Sequence, residues 1–285
     1  MLNKIYLEIT NICNLDCSFC HKTARVKKMM SAEEFDTLLG KTEGKAKLLF
    51  FHLMGEPTLH PLLPQFIDAA REKGFLPAIT TNGSLLAEKG DSLLASLPYK
   101  ISISIHAPEA NVAFSTPNYL ETCIAFAKEA AARGCIVALR LWNLGSDADN
   151  SKILETLHTV FPDEWYTRPD GSSQRLATRI FLEWGERFEW PDLALPECDP
   201  STDCFCYGLR DQIGILADGT VVPCCLDADA NLALGNLFFS DLDEILASPR
   251  AKAMYEGFSN RRAVESLCRK CGYAKRFSRE ANQNR

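Results

Sequence analysis

The sequence predicts an α/β protein: a partial (β/α)6 TIM-like barrel followed by a small C-terminal domain of a β-hairpin and short helices. Apolar runs of strand length alternate with helical periods six times before residue 190. Such alternation implies a parallel sheet with crossover helices, and six units fall short of the eight that close a TIM barrel. Beyond a stretch rich in Pro, Asp and Glu between Pro191 and Pro200, the elements become short. The chain therefore divides into a barrel, 1–190, and a C-terminal domain, 191–285.

The elements follow from local pattern. Residues 3–9 alternate as a buried strand, and a loop with three cysteines comes next. Ser31-Ala32-Glu33-Glu34 is a capping box that opens a helix with Phe35, Leu38 and Leu39 on one face. Strand two is Lys47 to Leu53, and a helix carrying Phe66, Ile67, Ala69 and Ala70 ends near Gly74. Strand three, Leu76 to Thr80, runs into Thr81-Asn82-Gly83, and a helix passes through Leu85, Leu86 and Leu93. Strand four is Ile101 to Ile105; a helix over 118–133 leads to strand five, Val137 to Leu141. A helix at 151–160 and an irregular stretch precede strand six, Arg179 to Trp184. Gln212 to Leu216 and Thr220 to Val222 flank Ala217-Asp218-Gly219 as a β-hairpin, with short helices at 241–247 and 249–257.

Composition narrows the function classes. Hydrophobic content of 46% and charged content of 24% are those of a soluble globular protein. A net charge of −6 argues against nucleic acid as a partner. The run Lys22, Arg25, Lys27, Lys28 reads as a solvated loop face. No apolar run approaches the ~20 residues that span a bilayer, so no membrane partner is expected. The chain opens with a strand and not a signal peptide, so the expected location is cytoplasmic. There, twelve cysteines are better read as metal ligands than as disulfides.

Cys13, Cys17 and Cys20, with gaps of three and two residues, follow the first strand. A structural zinc would want a fourth ligand, whereas a four-iron cluster held by three cysteines keeps one iron open. With Phe19 inside the last gap, the loop resembles the signature of the radical S-adenosylmethionine (SAM) enzymes. That resemblance implies a [4Fe-4S] cluster whose open iron takes the amino and carboxylate groups of SAM. Met54-Gly55-Glu56-Pro57 is similar to the family's Gly-Gly-Glu-Pro turn, where backbone carbonyls near Gly55 and Glu56 would accept from the SAM amino group. Met54 replaces the first glycine and reduces backbone freedom there. Ser104 stands where relatives place a ribose- or carboxylate-binding serine, although His106 replaces the usual acid and reads as a structural hydrogen-bonder. Arg140 should point into the barrel, needing an anion such as the SAM carboxylate or a structural ion pair. Phe19 would pack near the adenine, and Asn82 reads as a turn-former.

A second constellation is Cys206, Cys224, Cys268 and Cys271. The hairpin turning at Gly219 brings Cys206 and Cys224 back together, and the Cys268-x2-Cys271 knuckle supplies two more thiolates. A four-cysteine zinc site is the alternative for this cage. The spacing resembles the opening of the SPASM extension of radical SAM enzymes, in the shortened one-cluster form called Twitch, as in 2-deoxy-scyllo-inosamine dehydrogenase. The resemblance implies a second, auxiliary [4Fe-4S] cluster. Cys224 and Cys225 compete for one position; in an extended segment only one meets the cluster, and Gly219 spacing favours Cys224. Cys198, Cys204 and Cys225 are then packed or reactive spares, and Cys123 and Cys135 small core residues.

The family resemblance implies reductive cleavage of SAM to a 5′-deoxyadenosyl radical, hydrogen abstraction from a substrate, and a flavodoxin- or ferredoxin-like one-electron donor. One expectation is net dehydrogenation of a small hydroxylated molecule, with the auxiliary cluster taking an electron. It is supported by the first cysteine lying at residue 13, which leaves no room for a leader-binding domain. The other is modification of a peptide or protein side chain by epimerisation, cross-linking or oxidation. A non-catalytic iron–sulfur module would not need Gly55-Glu56 or Ser104. Glu183, His106 and Asp227 are candidates for the general base.

Overall fold

The computed structural model describes residues 2–197 and 204–277. Six parallel strands form the barrel wall: β1 (Leu2–Leu7), β2 (Ala46–Phe50), β3 (Leu76–Thr81), β4 (Lys100–Ser104), β5 (Ile136–Leu144) and β8 (Ile180–Glu186). Five helices make the crossovers: α1 (Ala32–Thr42), α2 (Leu63–Glu72), α3 (Leu86–Ala95), α4 (Tyr119–Ala132) and α5 (Ser151–Val160). The sheet stays open, so the fold is a partial (β/α)6 barrel with a C-terminal hairpin-and-helix extension, as the alternation predicts. Ser31 and Glu34 make both halves of the expected capping box on α1. One face of α1 then buries Phe35, which stacks on Phe66 of α2 with ring centroids 3.9 Å apart. The core lies between sheet and helices, where Ile5, Leu49, Ile79, Ile101, Val137 and Leu139 are fully buried.

Two parts of the sheet depart from the expectation. The supposedly irregular stretch before strand six contains β6 (Tyr166–Thr167) and β7 (Ser173–Ala177), which run antiparallel onto β8 and finish that edge. Their polar residues on a solvent edge carry little apolar alternation, the signal on which strand assignment rests. At the other edge the predicted hairpin is present as β9 (Gln212–Ile215) and β10 (Thr220–Val222), with β11 (Gly235–Asn236) beyond. β9 pairs parallel with β1, Lys4 opposite Gln212 and Leu7 opposite Ile215. The hairpin therefore continues the barrel sheet. The helices α6 (Leu242–Leu246), α7 (Pro249–Ser259) and α8 (Ser266–Arg269) follow. Among the described residues no helix is long and apolar enough to cross a membrane.

Candidate metal centres and SAM site

The cysteine loop leaves the C-terminal end of β1, the end where barrel enzymes carry their chemistry. Each of its three sulfurs receives an N–H donor. Leu15 N lies 3.5 Å from Cys13 Sγ, Lys22 N 3.4 Å from Cys20 Sγ, and Asn111 Nδ2 3.1 Å from Cys17 Sγ. Asn111 also accepts from Asp16 N at 2.9 Å, clamping the loop from both sides. Asn82 turns the chain, accepting from Ser84 N at 2.9 Å, and its amide also reaches the loop, 3.0 Å from Asn14 Oδ1 and 3.9 Å from Cys13 Sγ. Burial pushes the Cys13 thiol up to about 11, so a thiolate there would need a cation at the sulfur, which a metal centre on this loop would supply.

Gly55 and Glu56 act on this loop from β2. Gly55 has φ +79°, and a Cβ there would stand 2.4 Å from Thr10 O. Only glycine fits the backbone that leads into the cysteines. Glu56 is buried, and its N donates to Ile12 O at 2.8 Å. Its carboxylate accepts from Thr58 N and Thr58 Oγ1 at 3.0 and 2.7 Å and from Asn82 N at 2.7 Å. The side chain thus ties the ends of β2 and β3 together. Met54 keeps an ordinary backbone, and its N donates to Glu8 Oε1 at 3.1 Å.

Glu8 carries no local sequence signal and proves central. It is fully buried, receives Arg25 Nη2 at 2.7 and 2.9 Å on its two oxygens, and accepts from Ala217 N at 3.0 Å. One carboxylate thereby joins β1, the segment after the cysteine loop, the Gly55 turn and the C-terminal hairpin. The neighbouring basic residue Arg25 is therefore part of the fold and not a solvated face; Lys22 stays exposed, paired with Asp16 at 2.5 Å. His21 and Thr23 meet Asp229 at 3.1 and 2.7 Å, and Trp190 Nε1 donates to Phe19 O at 3.0 Å.

Phe19 faces the His106 ring, with centroids 5.1 Å apart. His106 is buried and its Nδ1–H donates to Arg140 O at 2.8 Å, the structural bond expected of it. Burial lowers its pKa to about 4. Ser104 ends β4 directly beside Arg140 of β5. The Arg140 guanidinium stacks 3.7 Å over the Trp142 ring, and burial works against its charge, with Glu183 the main anion in its support. Glu183 is itself 2.7 Å from Lys100. Asp227 accepts from Asn231 N and Leu232 N at 2.9 and 2.8 Å, so both its oxygens close a loop.

Cys206, Cys224, Cys268 and Cys271 line one cavity of about 480 Å³, together with Cys204 and Cys225. Burial pushes the Cys206 thiol up to about 12 and holds Cys224 and Cys268 well above the ordinary value. Protonated thiols gathered around a space suit a cationic cluster that takes up the sulfurs as thiolates. Among the described residues no Cys, His, Asp or Glu group of three closes on a single metal ion. A cubane sets its thiolates on separate irons. The segment at Cys224-Cys225 is bent and not extended, so both cysteines reach the cavity wall. Cys224 interacts electrostatically with Cys206, Cys225, Cys268 and Cys271, and Cys225 with Cys206, Cys271 and the Tyr6 hydroxyl of β1. Cys123 and Cys135 are buried core residues, as expected, and Cys198 lies outside the described residues.

Residues 7–157 match the profile of the Radical SAM superfamily, and residues 204–272 match SPASM, an iron-sulfur cluster-binding domain. Among curated proteins, a tungsten-containing aldehyde ferredoxin oxidoreductase cofactor-modifying protein of Pyrococcus furiosus is 35% identical over 33% of this chain and 27% of its own length. GTP 3′,8-cyclase 1 of Mycobacterium tuberculosis is 30% identical over 47% of this chain and 41% of its own. The chain thus spans well under half the length of these relatives. Among solved structures, BtrN in complex with AdoMet and 2-DOIA shares the fold with a TM-score of 0.57 at 16% identity, covering 95% of this chain and 93% of that one. SuiB of Streptococcus suis bound to S-adenosylmethionine gives 0.63 at 16% identity, covering 96% and 72%. anSMEcpe with AdoMet and the Cp18Cys peptide gives 0.59 at 14%, covering 96% and 87%.

Proposed function

The chain belongs to the Radical SAM superfamily, with a SPASM iron–sulfur domain, and from that premise we propose that it dehydrogenates a small hydroxylated molecule. Family membership gives it SAM and two [4Fe-4S] clusters as cofactors. The observation that carries the proposal is the pairing of two cysteine sets in one sheet: three N–H-supported thiols after β1, and four more around the cavity beside β9. We assign Cys13, Cys17 and Cys20 to the SAM cluster and Cys206, Cys224, Cys268 and Cys271 to the auxiliary one. When bound, SAM and the clusters supply one-electron chemistry, namely a 5′-deoxyadenosyl radical able to take hydrogen from an unactivated C–H bond and an acceptor for the electron a net oxidation releases.

The protein positions and shields. The Gly55 turn, with Glu56 fixed by three donors, presents backbone carbonyls to the SAM amino group. Phe19, held through its carbonyl by Trp190, offers its ring to the adenine, and Ser104 its hydroxyl to the ribose or carboxylate. His21, Thr23 and Arg25 bind the segment Ala228–Asp229, which draws the C-terminal part over the site and keeps water out. Dehydrogenation also needs a group to take the hydroxyl proton. Glu183, beside Arg140 in register and paired with Lys100 at 2.7 Å, suits this better than Asp227, whose two oxygens both accept from backbone N–H groups, or His106, whose Nδ1 is held by Arg140 O. The electron donor fits a flavodoxin- or ferredoxin-like protein.

A second reading is side-chain modification of a peptide. It is favoured by Cys225, a thiol turned towards Tyr6 on the barrel side, which suits a reaction that returns a hydrogen atom to the substrate. The test is 5′-deoxyadenosine release by anaerobically reconstituted protein challenged with size-fractionated host extract. Stimulation by the low-mass fraction is expected; stimulation confined to a protease-sensitive fraction would replace the first reading with the second.

A further inference from the structure

The barrel interior holds an unusual concentration of unmet hydrogen-bonding capacity. Among the described residues, the buried side-chain polar atoms without a partner are His52 Nδ1, Arg140 Nε and Trp142 Nε1. All three lie at the barrel strands. Arg140 and Trp142 alternate on one face of β5, and His52 follows β2 with its ring 5.5 Å from that of Tyr6. Buried donors are nearly always paired, so an unpaired cluster marks a place that an incoming ligand completes. Arg Nε–H and Trp Nε1–H can only donate. They are also held in place: the guanidinium lies flat on the indole, and the indole rests on Gly185 of β8, where a Cβ would come within 2.7 Å of the ring.

The charges around them point the same way. Lys4 sits 5.4 Å over the Tyr6 ring, and the Arg276 guanidinium lies 6.0 Å from the centre of the Trp142 ring. Glu183, the carboxylate opposite Arg140 in the β5–β8 register, is already engaged by Lys100 at 2.7 Å. Arg140 interacts electrostatically with Tyr6, Tyr273 and Cys225, and these three line the cavity beside the C-terminal cysteines. The loop that carries Cys13, Cys17 and Cys20 is instead clamped by Asn82 and Asn111.

We propose that Arg140 Nε and Trp142 Nε1 form a recognition site for an anionic group on the substrate, a carboxylate or a phosphate, with His52 Nδ1 offering a neutral hydrogen bond across the barrel. This assigns Arg140 to the substrate and not to the SAM carboxylate. It rests on the radical SAM reading and deepens it by naming a substrate class: an acidic molecule that docks through its anion and presents a neighbouring C–H bond.

The experiment is anaerobic isothermal titration of the two-cluster, SAM-saturated protein with inorganic phosphate and with succinate, beside a separate SAM titration. Wild type should bind at least one of the two anions in the millimolar range. Arg140→Gln should weaken that binding by about tenfold or more, the scale of a lost charged hydrogen bond. Trp142→Phe, which keeps the ring and removes the N–H, should weaken it by roughly threefold to tenfold, and both variants should bind SAM within about twofold of wild type. Iron content and melting temperature establish that each variant is folded, and if one fails the other still decides. The proposal is overturned if wild type binds neither anion at 10 mM, or if the variants bind both as wild type does. It is equally overturned if Arg140→Gln loses SAM affinity about tenfold while phosphate competes with SAM, which returns Arg140 to the cofactor. Anion binding does not depend on SAM cleavage, so failure here leaves the dehydrogenase reading to its own test.

Discussion

Gly55 shows how much can depend on the absence of one carbon. Its φ of +79° and the 2.4 Å approach of Thr10 O to a would-be Cβ leave alanine no position that spares the loop. Gly55→Ala should cost about 3 kcal/mol or more, lower the melting temperature by about 6 °C, and deplete iron from the N-terminal site. His106 gives a pH signature. Burial lowers its pKa to about 4 from 6.5, so the unfolded chain binds the proton more readily than the fold does. Its stabilising contribution is complete above pH 6.5 and is lost as pH falls from there through 4. His106→Gln should remove up to about 3 kcal/mol of that acid sensitivity in thermal melts across the window. The cysteine spacings and the Gly-Glu-Pro turn are legible because each is local in sequence. Glu8 and Asn111 are not, since a single polar residue in a strand or a loop gives no sign of the three donors or the sulfur it will meet.

At the level of elements, the strands of the parallel wall could be read because each carries its apolar pattern within five to nine residues. β6 and β7 could not, because edge strands satisfy only half of that rule. The parallel pairing of β9 with β1 was beyond reach for another reason: it joins residues some two hundred positions apart, and neither strand encodes its partner. Glu8 secures that junction. Glu8→Ala would leave the Arg25 guanidinium and the N–H groups of Met54 and Ala217 buried without their acceptor, at a cost of about 3–5 kcal/mol. We expect a fall in melting temperature of roughly 6–10 °C and a parallel loss of iron from both cysteine sets, because the same carboxylate braces both. Glu8→Gln, which keeps the shape and loses the charge, should fall between the two.

Across the whole molecule, the proposed assignment has two cysteine sets serving one barrel, and their separability can be measured. Cys268→Ala should remove about half of the iron and abolish substrate turnover while SAM is still cleaved under strong reductant; Cys17→Ala should remove the other half and all cleavage. What stayed illegible at this scale is the occupant of the interior, because Tyr6, His52, Arg140, Trp142 and Cys225 come from four separate stretches that only the fold assembles. The measurement that bears most directly on the account is therefore 5′-deoxyadenosine release from anaerobically reconstituted wild-type protein with SAM and dithionite, run beside Cys17→Ala and Cys268→Ala. The account predicts release by wild type and by Cys268→Ala, and none by Cys17→Ala. A wild-type protein carrying about eight irons per chain that releases none, or a Cys17→Ala variant that still does, would contradict it.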